Sequence, residues 1–324
     1  GLAEELDTDL EYEREGNMIR VVEREEELEV VQAFVQQQNQ VPGVTMQFLD
    51  GKEARELEPA LSPHILGATF CPADGHLNPF KLVYGYARAA RRLGAKILIH
   101  TPVTGFRVER GRVEGVKTPQ GEISTRTVVN AAGVNVPDLG DMLRVSIPVV
   151  ACRGQVITTE ALPRVLRRPV GSLRQTADGN ILIGVTHDFV GYDRRVTYAA
   201  MRQNISRACR ILPVLQKAQG IRFWAGLRPW PIDGLPIMGP IPGLEGFIVA
   251  TGHSGITLAQ ITGKLIAEYI TTGTTSLPLA PYSIHRFQEV RHHFTMEAFH
   301  RFRQEHKPPE QSKGDVARAA AAYG

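Results

Sequence analysis

Two neighbouring stretches of the sequence carry residues suited to binding negative charge, namely Arg228 and the turn Gly252-His253-Ser254-Gly255. Arg228 lies in the run AGLRPWPIDGLPIMG, where glycine and proline restrict the backbone on both sides. Its planar guanidinium suits a carboxylate or a phosphate. The turn follows an apolar strand predicted over 246–250 and opens an amphipathic helix predicted over about 256–271. Free amides at a helix N-terminus attract an anion or a polarised carbonyl, so these residues predict one half of a ligand site.

Both features also have purely structural explanations. Arg228 could pair with Asp233 in a turn, and Ser254 could simply cap the helix that follows it. Gly263, inside that helix, costs about 1 kcal/mol relative to alanine. A residue this small permits the close approach of another element or of a ligand.

A third candidate is the run VVNAAG, from Val128 to Gly133. Small residues directly after a buried strand allow the backbone to approach a flat cofactor. Ordinary packing between a strand and a helix would explain the same residues.

Composition narrows the class of protein. The chain has 324 residues and a formal charge of +3, and its first 29 residues hold twelve acidic side chains against three arginines. No cluster of basic and aromatic residues indicates a nucleic-acid partner. The three cysteines are widely spaced, which favours a reducing compartment, and no apolar run has the length of a membrane helix. We therefore expect a cytoplasmic protein and leave attachment to a membrane surface open.

Several catalytic signatures are absent from the sequence. It contains no GxGxxG, no GxxxxGK[ST], no GxSxG and no HExxH. Five histidines gather near the end of the chain, where a solvated face is favoured over a metal site: His285, His292, His293, His300 and His306. No metal site is expected.

The pattern of apolar residues predicts a mixed α/β chain, in which a β-rich middle block forms an antiparallel-sheet substrate domain. The predicted helices cover 24–39, 52–58, 80–93, 137–143, 197–212 and 256–271, and the predicted strands include 44–49, 68–71, AKILIH at 95–100, a meander over 103–130, and the β-rich middle block. The predicted domains are 1–145 for the first domain with an inserted substrate segment at about 20–75, 146–240 for the substrate domain, 241–284 for the return to the first domain, and 285–324 for a helix and tail.

In order along the chain, several segments resemble the D-amino-acid oxidase and glycine oxidase type of FAD-dependent amine oxidoreductase. These segments are ADGHLNP, VNAAG, RGQVITTE, AGLRPWPIDGLPIMG and GHSGITLAQITG. The segments SLRQTADGNILIG and GHSGI are most similar to the corresponding sequences in flavoprotein subunits of opine oxidases, hydrogen cyanide synthase and sarcosine oxidase-like dehydrogenases. The resemblance covers roughly residues 20–285. It implies that the first domain is an FAD-binding doubly wound domain, incomplete at its start.

The resemblance implies a role for each matching residue. Arg228 would bind the carboxylate of a small amino acid, an N-alkyl amino acid or an opine. The residues at the turn would lie against the isoalloxazine of FAD: Gly252, His253, Ser254, Gly255, Ile256 and Thr257. A second set would contact the adenosine part of FAD: Val103, Ala131, Ala132 and Gly133. The implied reaction is oxidative deamination through hydride transfer, which requires little acid–base machinery.

The sequence departs from the family in one respect, because the βαβ unit that carries GxGxxG is not among these residues. Three explanations stay open: an incomplete chain, which we favour, a segment supplied by another polypeptide, or a remnant that no longer binds flavin. A non-catalytic subunit of a hetero-oligomer is therefore the alternative function. A nicotinamide dehydrogenase is disfavoured, since its glycine loop is also missing.

Overall fold

The computed structural model describes residues 1–287 and residue 299. Seven α-helices lie in this part of the chain: α1 Leu2–Leu6, α2 Leu28–Gln38, α3 Gly51–Leu57, α4 Pro79–Arg92, α5 Val136–Asp141, α6 Tyr198–Ile211 and α7 Gly255–Thr272. The described strands are β1 Val21–Val22, β2 Gln47–Asp50, β3 Gly67–Phe70, β4 Gly105–Glu109, β5 Arg112–Thr118, β6 Gly121–Ser124, β7 Val128–Asn130, β8 Val149–Ala161, β9 Leu173–Gln175, β10 Asn180–Ile183, β11 Gly220–Pro231, β12 Ile237–Pro240 and β13 Phe247–Thr251. The predicted mixed α/β fold is confirmed.

These strands form four sheets in the described residues. Their strand orders are β1-β3-β2, β11-β8-β10-β9, β12-β13-β7 and β4-β5-β6. β8 and β11 are the longest strands and pair antiparallel along most of their length, from Thr159 opposite Gly220 to Val149 opposite Pro231. β7 and β13 instead run parallel, and α7 follows β13 directly, so the turn between them opens at the carboxyl end of a parallel strand pair.

Local sequence accounts for where several elements begin. Asp50 starts α3 with a capping box: its side chain accepts from the amides of Lys52 and Glu53, and the Glu53 carboxylate accepts from the Asp50 amide. The Asn78 side chain caps α4 by accepting from the amides of Phe80 and Lys81, with Pro79 at the first helical position. The meander turns at Gly111, whose φ is 79°, a left-handed value that glycine adopts without strain.

One predicted strand is wrong. The segment AKILIH at 95–100 forms no strand, and Ile99 is 70% exposed. A strand requires a neighbour to bond its backbone amides and carbonyls, and no described strand lies beside this segment. The predicted helix at 24–39 is shorter than expected, since Glu25–Glu27 form a 3₁₀ turn before α2. The predicted helix and tail of 285–324 lie outside the described residues, apart from 285–287 and 299.

The largest apolar core joins two segments that are far apart in sequence. Met18, Leu49 and Ala68 pack with side chains of the middle block, among them Ile157 and Ile211. A buried ion pair reinforces this contact, because Nε of Arg168 lies 2.9 Å from Oε1 of Glu58, a side chain with no exposed surface. Burial holds such a pair together strongly, since removing one partner leaves an uncompensated charge. The domain boundaries themselves stay a prediction.

Candidate active site

Arg228 lies on a floor made by glycines of two paired strands. On β11 it stands opposite Cys152 of β8, and Gly226 stands opposite Gly154. Directly opposed residues of antiparallel strands point to the same face, so these four positions share one side of the sheet. A Cβ atom at Gly154 would lie only 2.0 Å from Nη1 of Arg228. The guanidinium therefore lies across Gly154, in space that no other residue would leave open.

The described contacts of Arg228 leave its charge unpaired. Nη1 donates a hydrogen bond to the carbonyl oxygen of Thr186 at 3.2 Å, and no described carboxylate forms an ion pair with this half-buried side chain. The structural explanation through Asp233 is wrong, because Asp233 pairs with Arg286, with Oδ2 and Nε 2.7 Å apart. A fixed guanidinium without an anionic partner is suited to bind a carboxylate from solution.

A buried polar network fixes the loop that supplies this carbonyl. Arg153, whose side chain is 6% exposed, lies 3.3 Å from both Asp188 and Asp193. Gln155 donates to Oδ2 of Asp188 at 2.7 Å, and its own Oε1 accepts from the amide of Thr197 at 2.7 Å. Arg153 and Gln155 flank Gly154 and point to the opposite face of β8. The RGQ segment thus anchors a loop on one face and leaves room for Arg228 on the other.

Two imidazoles and an indole surround the same place. The ring of Trp230 lies 4.5 Å from the ring of His253 and 5.7 Å from the ring of His187, and the two imidazoles are 6.3 Å apart, centre to centre. Sequence reasoning proposed His253 but missed His187 and Trp230. Trp230 was within reach of prediction, since it shares a strand face with Arg228 two positions away. His187 carried no comparable signal, because only folding brings its loop to β11.

Both imidazoles are neutral near pH 7. Burial, and then the charges of Arg228 and His187, lower the pKa of His253 to about 4. Burial is also the main cause that lowers the pKa of His187; Arg228 adds to it and Asp188 opposes it. Neutral imidazoles can bind a proton or donate and accept hydrogen bonds, whereas two more cations here would oppose a cationic substrate group.

The lowered pKa of His253 predicts a loss of stability in acid. The unfolded chain takes up a proton below the ordinary imidazole pKa of 6.5, whereas the folded chain does so only near pH 4. The free energy of unfolding is therefore expected to fall as the pH is lowered from 6.5 to 4. Above pH 6.5, we expect His253 to cause no such change. Thermal melting at a series of pH values should show a flatter profile for His253→Gln than for the parent chain. His64→Gln, at an exposed position, is the control, and equal slopes for the parent and His253→Gln would contradict the prediction.

The N-terminus of α7 is free to receive a ligand. Ser254 has a left-handed φ of 59° and makes no capping hydrogen bond to the helix. Its Oγ lies 3.1 Å from Nδ1 of His253 instead, so the explanation of Ser254 as a simple side-chain cap is wrong. A Cβ at Gly255 would meet no described atom within 4 Å. The start of this 18-residue helix therefore has no side-chain cap, and its first amides can attract negative charge.

A groove of ≈ 420 Å³ runs from this turn along β7, β13 and α7. Four of the residues proposed for the cofactor line it: Ala131, Gly252, His253 and Gly255. Gly263 lines it as well, and no described atom lies within 4 Å of its Cβ position, so the close approach of a ligand there stays a prediction. Six others do not line the groove: Val103, Ala132, Gly133, Ser254, Ile256 and Thr257. Val103 lies in the segment before β4 rather than in a strand.

Comparison with protein families identifies the class of protein to which this chain belongs. The family model described as FAD dependent oxidoreductase matches residues 1–269. The chain belongs to this family. It is accordingly an FAD-dependent oxidoreductase by family, and its resemblance to the D-amino-acid oxidase and glycine oxidase type is confirmed.

Individual relatives agree with this assignment. The chain is 35% identical to hydrogen cyanide synthase subunit HcnC of Pseudomonas aeruginosa over 89% of this chain and 70% of that protein. It is 33% identical to glycine oxidase of Geobacillus kaustophilus over 75% of this chain and 67% of that protein. Among solved structures, L-proline dehydrogenase from P. horikoshii superimposes with a TM-score of 0.81 at 28% identity, covering 91% of this chain and 81% of that one. The chain spans 60% to 70% of the lengths of the first curated relatives.

Every helix in the described part of the chain is too short or too polar to cross a membrane. The cytoplasmic location expected from the sequence stays a prediction.

Proposed function

We propose that this protein oxidises the carbon–nitrogen bond of a small amino acid, an N-alkyl amino acid or an opine. The observation that carries the proposal is the guanidinium of Arg228, which lies on a glycine floor beside an uncapped helix N-terminus and has no carboxylate partner among the described residues. A carboxylate-bearing substrate supplies the missing anion. Family membership supports oxidation of an amine as the reaction class.

The residues at the groove fit a flavin ring. Gly252 and Ala131 are small, Gly255 leaves its surroundings open, and the amides that begin α7 offer hydrogen-bond donors to an electron-rich ring edge. We propose Gly252 to Thr257 for the isoalloxazine, and Val103 and Ala131 to Gly133 for the adenosine part. Bound FAD would accept the hydride from the carbon that bears the nitrogen, which leaves an imine for water to hydrolyse.

The side chains of this protein would mainly position the substrate. Arg228 holds the carboxylate, and the hydrogen bond to Thr186 restricts the rotation of its guanidinium. Fixing one end of a small molecule converts a bimolecular encounter into a step within a complex, which contributes much of the acceleration in enzymes of this kind. Trp230 and the two imidazoles form the wall next to this anchor.

A second candidate is a subunit that acts only within a hetero-oligomer. The observation that favours it is the name of one relative, hydrogen cyanide synthase subunit HcnC, which designates a component of a larger enzyme. In this alternative a partner polypeptide would complete the cofactor site.

The absorption spectrum of the purified chain tests the proposal. We expect a yellow protein, or one that becomes yellow on addition of FAD, whose flavin absorption bleaches when glycine, sarcosine or proline is added without oxygen. Bound flavin that none of these amino acids or a synthetic opine reduces would overturn the proposed substrate class. A colourless chain that does not take up FAD, and that co-purifies with a stoichiometric flavin-containing partner, would instead support the subunit role.

A further inference from the structure

His187 is a half-buried imidazole with no assigned task. It directly follows Thr186, whose carbonyl oxygen accepts the hydrogen bond from Arg228 at 3.2 Å. Within residues 1–287 neither ring nitrogen of His187 makes a hydrogen bond, and its only ring neighbours are Trp230 and His253. A histidine that serves packing alone usually bonds at least one ring nitrogen when buried. These nitrogens are therefore available to a bound molecule.

The charged and titratable groups around His187 come from three elements. Arg228 lies on β11, His253 lies in the turn before α7, and Asp188 is the next residue of its own loop. Asp188 is already engaged, since its Oδ2 accepts from Gln155 at 2.7 Å and from the hydroxyl of Thr186 at 3.0 Å. Asp188 also pairs with Arg153 at 3.3 Å. Of the two charged neighbours of His187, the guanidinium that we propose to bind the substrate carboxylate is thus the one without a partner of opposite charge among the described residues.

We propose that His187 accepts the proton released by a substrate ammonium group, and that a carboxylate bound at Arg228 makes this transfer easier. The inference rests on the proposed function. In this step one N–H bond of the ammonium breaks, its electron pair stays on nitrogen, and the proton forms a new N–H bond with the imidazole. The step needs no oxidant, and it leaves the neutral amine whose lone pair assists departure of hydride from the adjacent carbon.

The coupling has an electrostatic cause. Without substrate, burial, together with the repulsion between Arg228 and a proton on His187, lowers the pKa of the imidazole. A carboxylate on Arg228 cancels the positive charge, so protonation of His187 becomes easier once substrate is present. For unit charges several ångströms apart at a partly buried site, we expect a shift of about one pH unit in the titration midpoint. The base would therefore become effective only in the complex.

NMR titration of the histidine C–H resonances of this chain tests the coupling without any turnover. Propionate is the probe, propionamide is its uncharged match, and His187→Gln assigns the resonance. We expect propionate, but not propionamide, to raise the midpoint of His187 by about one pH unit. The exposed His64 should not move, and Arg228→Leu should raise the midpoint without ligand and abolish the response.

The outcomes separate the two proposals. Saturable quenching of tryptophan fluorescence by propionate, lost in Arg228→Leu, together with an unmoved His187 midpoint would overturn this inference and leave the carboxylate anchor intact. Failure of propionate to bind the parent chain would overturn the anchor itself.

Kinetics of the FAD-loaded enzyme provide the second test. His187→Gln should lower kcat by about 10²–10³-fold, within the usual contribution of a proton acceptor. It should also remove the acidic limb of the kcat profile while KM changes little, because Arg228 still binds the carboxylate. An unchanged kcat with an unchanged pH profile, in a variant that melts at the parent temperature, would overturn the proposal.

Discussion

Replacing Arg228 by leucine is expected to lower kcat/KM for an amino-acid substrate by about 10²–10³-fold, which corresponds to about 3–4 kcal/mol. The carboxylate would lose a charge-assisted pair of hydrogen bonds in a half-buried site, where water replaces such bonds poorly. Most of the effect should be in KM, because the carboxylate binds in the ground state as well as in the transition state. A smaller decrease in kcat should follow from a less firmly oriented substrate.

Matched controls make this result specific. Arg222 lies on the same strand, exposed to solvent, and Arg222→Leu should change kcat/KM less than about twofold. Ethylamine, which lacks a carboxylate, should be a poor substrate of both the parent enzyme and Arg228→Leu, to a similar extent. Equal losses for Arg222→Leu and Arg228→Leu, or unchanged kinetics for the latter, would refute the anchor.

Gly154→Ala is expected to reproduce much of this loss without weakening the fold. The new Cβ would lie 2.0 Å from Nη1, 2.3 Å from Nη2 and 2.4 Å from Cζ of Arg228. All three atoms are at the far end of a flexible side chain, so the arginine moves aside and the backbone stays in place. We expect KM to rise by about 10–100-fold, while the free energy of unfolding changes by less than about 1 kcal/mol, as measured by steady-state kinetics and thermal melting.

Gly226→Ala separates displacement of the guanidinium from general crowding. A Cβ at Gly226 would meet only Trp224, at 3.9 Å, which is an ordinary contact. This variant should bind propionate as the parent does. The double variant Gly154→Ala/Arg228→Leu should be little worse than Arg228→Leu alone, because both changes remove one interaction. If the losses of substrate binding in the two single variants were additive, Gly154 would act on binding other than by displacing Arg228.

Much of the fold followed from local patterns in the sequence. The helices predicted at 52–58 and 80–93 correspond to α3 and α4, whose first turns are capped by Asp50 and Asn78. These features depend on residues only a few positions apart, so a linear reading captures them. The segment AKILIH shows the limit, because its apolar alternation could become a strand only with a neighbour to pair with.

The features of the candidate site likewise fall into those that sequence patterns predicted and those that only the fold brought together. The sequence by itself predicted an anion-binding role for Arg228 and for the turn before α7, since guanidinium chemistry and a glycine-rich helix start are local properties. Only the tertiary structure decided their partners: Asp233 pairs with Arg286, Ser254 bonds His253, and Arg228 crosses Gly154. It also brought His187 to the site. Each of these contacts depends on strand pairing and loop anchoring between residues far apart in the chain, and short-range sequence patterns carry no information about such distances.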